Sequence, residues 1–376
     1  MIDPGQLFSG LRQRGIGLFA GVPDSLLKHF CAYLEDHCSV NQHVITANEG
    51  NAIALAAGYH LSTGRVAAVY MQNSGLGNAV NPLMSLTAPE VYNIPLLLII
   101  GWRGEPGVKD EPQHIRQGRI TPGQLELMEI PYSVLDADSD SHQVLDSIFD
   151  KIKNTNAPAA LLVRKGTFTP YKSIQKQNPL STLSREDALT RILTLAGENA
   201  LVISTTGKTS REVFEIRARL GQPQRDFLTV GSMGHTASIA LGAALGNPQK
   251  QIICIDGDGS ALMHLGSLPV ISKFSPKNLI YILLNNAAHE SVGGQPTAAD
   301  RFDFAAMAKA CGFKQYHMAE TTRHLEDCWS DICQVPGPNM IEVRIRTGSR
   351  SDLGRPSCTP LENKKAFMEA AIELMV

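Results

Sequence analysis

Short aliphatic and β-branched runs, alternating with segments of helical period, constrain this chain more than any other feature. In the first half the runs IGLFAGV (16–22), HVITA (43–47), VAAVYM (66–71), IPLLLIIG (94–101) and PAALLVR (158–164) show little polar alternation. Strands of that composition are buried on both faces. Residues 24–37, 49–62 and 75–88 carry apolar residues at helical spacing between them. Strands that alternate with helices give an α/β fold with a parallel sheet. The second half repeats the rhythm with ALVIST (200–205), FLTVG (227–231), QIICIDGDG (251–259), NLIYILLNN (278–286) and NMIEVRI (339–345), and with helical segments near 185–196, 209–219, 235–246 and 303–311. Two doubly wound parallel-sheet domains of similar size are expected.

Between them, KGTFTPYKSIQKQNPLSTLS (165–184) is polar, holds two prolines and lacks apolar period, which is the composition of a linker. A boundary near residue 175 gives domains of 1–174 and 175–376. The tail opens with a basic Gly/Ser/Pro loop at Arg346 and ends in a helix from about Leu361. A length of 376 residues suits two such domains.

Charge and cysteine usage exclude several classes of function. The 34 basic and 36 acidic residues give a formal net charge of -2 without long like-charge blocks, so neither nucleic acid nor an anionic membrane is an expected partner. Seven scattered cysteines form no C-x-x-C pair, which argues for free thiols and a cytoplasmic protein. The longest apolar run, IPLLLIIGW, is too short to cross a bilayer.

Open parallel sheets bind ligands beyond the carboxyl ends of their strands. DGDGS (256–260) stands at one such end and Asn285-Asn286 at the next. Gly257 and Gly259 let the backbone approach a diphosphate, Asp258 and Asn286 supply hard oxygen atoms for Mg²⁺, and Ser260 has a hydroxyl to donate to phosphate. The competing reading of Gly-Asp-Gly is an ordinary turn.

The pairing decides between them. GDG followed by NN, with Asp258 and Asn286 28 positions apart, resembles the thiamine-diphosphate-dependent enzymes. The resemblance implies thiamine diphosphate as cofactor, with Mg²⁺ held by Asp258, Asn286 and the carbonyl of Ala288. It also implies a pyrimidine-binding domain followed by a diphosphate-binding domain. In the first, TANEGNAIALAAGYHLSTGR places Glu49 where the family has the acid that contacts the aminopyrimidine. Read in isolation, Glu49 is a first-turn acid favoured by the helix dipole. Met233, 25 positions before Asp258, takes the place of the bulky residue beneath the bent cofactor, and the Gly231 carbonyl that of the acceptor for its 4′-amino group. A methionine in apolar surroundings is otherwise core filler. Larger relatives such as pyruvate decarboxylase insert a third domain where this chain has only the linker.

Further stretches narrow the family. GVPDSLL (21–27), MQNSGLGNAVNPLMSL (71–86), GWRGEPGVKDEPQHIRQGRIT (101–121), NNAAHESVGGQPT (285–297) and GSRSDLGRP (348–356) are together similar to the phosphonopyruvate decarboxylases, with the sulfopyruvate decarboxylases as close cousins. The first resemblance implies decarboxylation of 3-phosphonopyruvate to phosphonoacetaldehyde and CO₂ in phosphonate biosynthesis, the second sulfoacetaldehyde from sulfopyruvate. A non-catalytic thiamine-diphosphate-binding protein would lack the need for Glu49.

On this reading Glu49, His114 and His289 are the catalytic residues. A 2-oxo acid with a second anionic group needs polar recognition, for which Ser25, Asp110, Arg350 and Arg355 are secondary candidates. The mixed-charge stretch 103–119 otherwise reads as a solvated surface loop. Val292 stands where pyruvate decarboxylase has a catalytic glutamate, so that enzyme's protonation scheme does not transfer. The family also implies a homodimer or higher homo-oligomer with active sites between subunits.

Overall fold

The computed structural model of the chain describes residues 1–175 and 179–373. Two compact units result, Met1–Lys176 with Ser291–Gln295 and Gln177–Glu290 with Pro296–Val376. The first is built on β1 (Phe19–Gly21), β2 (His43–Ile45), β3 (Ala67–Gln72), β4 (Leu96–Gly101), β5 (Tyr132–Leu135) and β6 (Ala159–Val163). These strands run parallel in the order β2-β1-β3-β4-β6-β5.

Alternate residues of each strand enter different cores, as the two-residue period requires. Ala68, Tyr70, Leu97 and Ile99 join one, whereas Val69, Met71, Leu98 and Ile100 join the other. Both faces are therefore dry, which is why the strands read as unbroken apolar runs.

The second unit has β7 (Leu201–Ser204), β8 (Phe227–Leu228), β9 (Ile252–Gly257), β10 (Leu279–Asn285), two-residue strands β11 (Ala288–His289) and β12 (Gln295–Pro296), then β13 (Gln315–Ala319) and β14 (Asn339–Arg344). Its parallel six-stranded sheet has the order β13-β14-β10-β9-β7-β8. Counted from its own first strand and read from β8, that order repeats the order of the first sheet. Ile253 and Ile255 face one core while Ile252 and Cys254 face the other.

In each unit the strand order reverses around the first strand, and crevices for ligands open at such switch points. The switch lies at β1 and β3 in the first unit and at β7 and β9 in the second.

Several elements differ from the sequence expectation for identifiable reasons. The helix expected over 24–37 spans Lys28–His37, because the Asp24 carboxylate accepts the Leu26 N–H and folds residues 24–27 into a turn. The stretch read as a surface loop contains a 16-residue helix, Pro112–Leu127, with Pro112 in the first turn where its missing N–H costs nothing. FLTVG pairs only over Phe227–Leu228, because positive φ angles at Gly231, Ser232 and Gly234 turn the chain away. Linker residues as far as Ile174 are tied down: Phe168 bridges to Ile2 and stacks on Phe30, and Tyr171 and Ser173 donate to Asp36. Among the described residues no helix is long and apolar enough to cross a membrane.

Candidate active site

In the first unit every expected polar residue sits beyond the carboxyl end of a strand. Glu49 follows β2 and opens the helix Glu49–Thr63, whose cap Asn48 accepts the Gly50 N–H at 2.8 Å. Glu49 is only 5% exposed, and Asn78 donates to its Oε2 at 2.8 Å. Burial pushes its pKa above the ordinary glutamate range, and the Asn78 hydrogen bond offsets this only in part. Gly75 lies against the carboxylate so closely that a Cβ there would collide with Oε1. The setting favours a protonated acid held at one position.

A second constellation joins the ends of β1, β3 and β4. Asp24, fully buried, accepts from Leu26 N–H at 2.8 Å and from Gln72 Nε2 at 2.7 Å. Arg103 donates through Nη1 to Ser25 Oγ at 2.7 Å and through Nε to Asp110 at 2.8 Å. Asp110 also accepts from Arg103 Nη2, from the Gly104 and Glu111 amides and from His114 Nδ1 at 3.0 Å.

Asp110, a secondary candidate for substrate contact, is engaged within the protein. Five donors saturate a carboxylate with about four lone-pair sites. Burial alone would raise its pKa, yet the hydrogen bonds from Arg103, His114, Glu111 and Gly104 hold it well below the usual carboxylate range. Asp110 therefore remains charged, with that charge met by Arg103 and its oxygens occupied. Because a carboxylate only accepts, His114 Nδ1 must donate, which leaves the lone pair of the neutral ring on Nε2. Ser25 likewise has an internal task, as the acceptor that holds Arg103.

In the second unit, the register Leu284↔Gly257 places Asp258 beside Asn285 and Asn286. Asp258 is 3% exposed and accepts from Thr297 Oγ1. Burial raises its pKa to about 6 despite that bond and those from the Asn286 and Gly259 amides. A nearby cation would reverse the penalty, since an opposite charge favours the ionised form.

The two asparagines share one device. Asn285 Oδ1 accepts Ala287 N–H and Asn286 Oδ1 accepts Ala288 N–H, both at 3.1 Å. Their amide nitrogens donate to acids, Asn285 to buried Glu342 at 2.9 Å and Asn286 to partly buried Glu290 at 3.0 Å. This turn holds Ala287 at φ 54°, a left-handed conformation uncommon for a residue with a side chain.

His289 is buried, and its ring packs so closely on the Asp258 turn that a Cβ on Gly259 would lie 3.0 Å from Cε1. Burial lowers its pKa to about 4, so the ring is neutral at neutral pH. Gly231, at φ 69°, donates its N–H to Thr206 Oγ1, and half-buried Met233 lies in the same loop.

Two other candidates have partners within the protein. The Ser260 hydroxyl accepts Gly234 N–H at 3.0 Å and bonds to Asp256, which braces the turn. Arg350 is gripped on the surface by Glu186, Glu215 and Asp352, which leaves its charge compensated before any substrate arrives. Arg355 is exposed, between Gly354 and the helix cap Thr359. Sequence reasoning assigned no role to Asp24, Asn78, Glu290 or Thr297. Each is only a polar residue near a strand end, and several of their partners, such as Gln72 for Asp24 and Asp258 for Thr297, lie far away in the chain.

Two family models match the chain, described as the thiamine pyrophosphate enzyme N-terminal TPP binding domain over residues 5–125 and the C-terminal TPP binding domain over 206–343. Phosphonopyruvate decarboxylase of Streptomyces viridochromogenes is 35% identical over 390 residues, covering 98% of this chain and 94% of the relative. Its namesake from Streptomyces hygroscopicus is 36% identical, covering 99% and 95%. Sulfopyruvate decarboxylase of Methanosarcina acetivorans is 28% identical, covering 96% and 95%. The chain belongs to this family of thiamine-pyrophosphate-dependent decarboxylases.

Two tests follow from the geometry. Glu49→Gln is expected to lower turnover by about 10²–10⁴-fold while cofactor affinity is kept. Gly75→Ala, which displaces the Glu49 carboxyl without altering it, should lower turnover by about 10²-fold. Steady-state kinetics beside cofactor titration checks both, and near-native turnover in either variant contradicts the assignment. For the His114 dyad, Asp110→Asn should lower kcat by about 10²-fold or more with little change in KM. A rise in KM at constant kcat would return Asp110 to the role of substrate contact.

Proposed function

We propose that this chain decarboxylates 3-phosphonopyruvate to phosphonoacetaldehyde and CO₂, in phosphonate biosynthesis, with thiamine diphosphate and Mg²⁺. The observation that carries this reading is the likeness to two phosphonopyruvate decarboxylases at 35% and 36% identity over nearly their whole lengths, against 28% for the sulfopyruvate decarboxylase. Sulfopyruvate is the second reading, favoured by the 96% of this chain that the latter match covers. The scattered cysteines, all free, support a cytoplasmic setting.

The residues present fit the cofactor and the ion. Asp258, the Asn286 amide oxygen and the Ala288 carbonyl would hold the metal, and three hard oxygen donors suit Mg²⁺, which keeps its other positions for diphosphate and water. Glu49 would hold its proton toward the aminopyrimidine ring. Gly231 and Met233 would lie against the cofactor, with Gly257 and Gly259 leaving room for its diphosphate.

When bound, thiamine diphosphate supplies the electron sink that takes up the bonding pair as CO₂ leaves. The overall reaction, R–CO–COO⁻ + H⁺ → R–CHO + CO₂, consumes one proton at the carbon that loses the carboxylate. His114 has the means to move that proton, because Asp110 fixes Nδ1–H and leaves Nε2 to exchange it. His289, neutral and packed on Gly259, offers a second uncharged ring beside the Asp258 turn.

The smallest active assembly in this reading is a homodimer, from which larger homo-oligomers are built. Its support is the family resemblance together with the placing of Glu49 and Asp258 on different units. Mixing Glu49→Gln chains with Asp258→Ala chains under subunit exchange should restore activity from two inactive proteins. No recovery despite proven exchange, or an active monomer, contradicts the assembly.

Aldehyde release by the purified protein with thiamine diphosphate and Mg²⁺ tests the substrate. We expect kcat/KM to be highest for phosphonopyruvate, lower for sulfopyruvate and lowest for pyruvate. A preference for sulfopyruvate establishes the second reading, and a preference for pyruvate contradicts both.

A further inference from the structure

We propose that Glu290 is a positioning residue that fixes the orientation of the Asn286 side-chain amide and thereby sets the divalent-cation affinity of the Asp258–Asn286 site. The inference rests on the reading of Asn286 as a cation ligand.

An asparagine amide has two chemically opposite ends of nearly the same size. With Oδ1 toward a cation it is a ligand; turned over, its NH₂ group repels the ion. Something must choose between the two. Glu290 Oε2 lies 3.0 Å from Asn286 Nδ2, and an ionised carboxylate accepts hydrogen bonds but donates none. It therefore tolerates only the NH₂ end. At the opposite end, Ala288 N–H donates to Oδ1 at 3.1 Å and uses one of its two lone pairs. The other remains for a cation.

The surroundings keep Glu290 charged and in place. Lys208 Nζ donates to Oε1 at 2.9 Å and Arg185 Nη1 to Oε2 at 2.7 Å. Arg185 is itself held by Glu212 through Nε at 2.7 Å and Nη2 at 2.9 Å. Each Glu290 oxygen therefore faces a cationic donor, Oε2 that of Arg185 and Oε1 that of Lys208. The quartet has two positive and two negative groups, so its formal charge is zero.

This arrangement is costly by local rules. Arg185 and Lys208 are the first residues of the helices Arg185–Ala196 and Lys208–Arg219, where the helix dipole disfavours a cation. Arg185 and Glu212 are also almost fully buried, and buried ion pairs add little net stability over apolar packing. Local preferences broken together at one place mark a functional constraint. The group that all of this meets is the amide of Asn286.

Mn²⁺ serves as the probe, with its affinity measured by electron paramagnetic resonance of the free ion in the presence of thiamine diphosphate. In Glu290→Gln the new amide can either donate or accept, so only the Ala288 N–H still favours the oxygen end of Asn286, and we expect Mn²⁺ affinity to fall about 10–100-fold. Glu290→Asp, which retains an accept-only group, should lie between the wild type and Glu290→Gln, and it tests the same point should the glutamine variant fail to fold.

The sign of the effect in a second background separates orientation from general support. In Asn286→Asp no NH₂ remains to be oriented, and Glu290 becomes a like-charged neighbour. Adding Glu290→Gln there should raise Mn²⁺ affinity relative to Asn286→Asp alone. Loss in both backgrounds would make Glu290 a structural prop and overturn the proposal. So would unchanged affinity in Glu290→Gln when Asn286→Ala binds weakly. Unchanged affinity in Asn286→Ala removes Asn286 as a ligand, and the proposal falls with it.

Discussion

A carboxyl group buried at the end of a parallel strand has two stable conditions: it keeps its proton, or it meets positive charge or donors enough to ionise. The functional architecture of this chain rests on how its buried acids divide between the two. Glu49 has one side-chain donor and a glycine wall, and its pKa rises. Asp110 has five donors and stays charged. Glu290 is ionised by Arg185 and Lys208. Asp258 lies between these extremes, with a pKa of about 6 that a bound cation would lower. Proton holder, histidine anchor, amide anchor and cation seat can thus all be made from one functional group, the carboxyl, in different surroundings.

The sheets supply the places for these acids. Strands buried on both faces carry few polar residues before they end, so the strand exits are the main positions for chemistry. Both sheets use the same strand order, and in both the crowded exits surround the switch point. Asp24 and Ser25 follow β1, Gln72 ends β3 and Asn73 to Asn78 follow it, and Asp258 follows β9 with Asn286 one residue beyond β10. The order of motifs along the chain is therefore the order in which strands end.

Strands with uninterrupted apolar runs are legible in the amino-acid sequence, as are the residues of the GDG and NN pair and Glu49. What the sequence hides is partnership. Ser25 and Arg103 meet across 78 positions and Asn286 meets Arg185 only through Glu290, so residue type alone suggests substrate contacts for Ser25 and Asp110. The partners of Ser260 and Arg350 are hidden in the same way: Asp256 for the first, and Glu186, Glu215 and Asp352 for the second. The helix Pro112–Leu127 escapes detection because it has a polar face, two prolines and few apolar residues. β13 is a half-buried edge strand in which QYHMA lacks the apolar density of its neighbours.

The protonation state of Glu49 tests the central division most directly. Difference infrared spectroscopy of the purified protein, with the Glu49 band assigned by its loss in Glu49→Gln, reads the carboxyl itself. The account predicts a protonated-carboxyl band that persists at pH values where a solvent-exposed glutamate is already ionised. A band that disappears at the pH of an ordinary glutamate would contradict it.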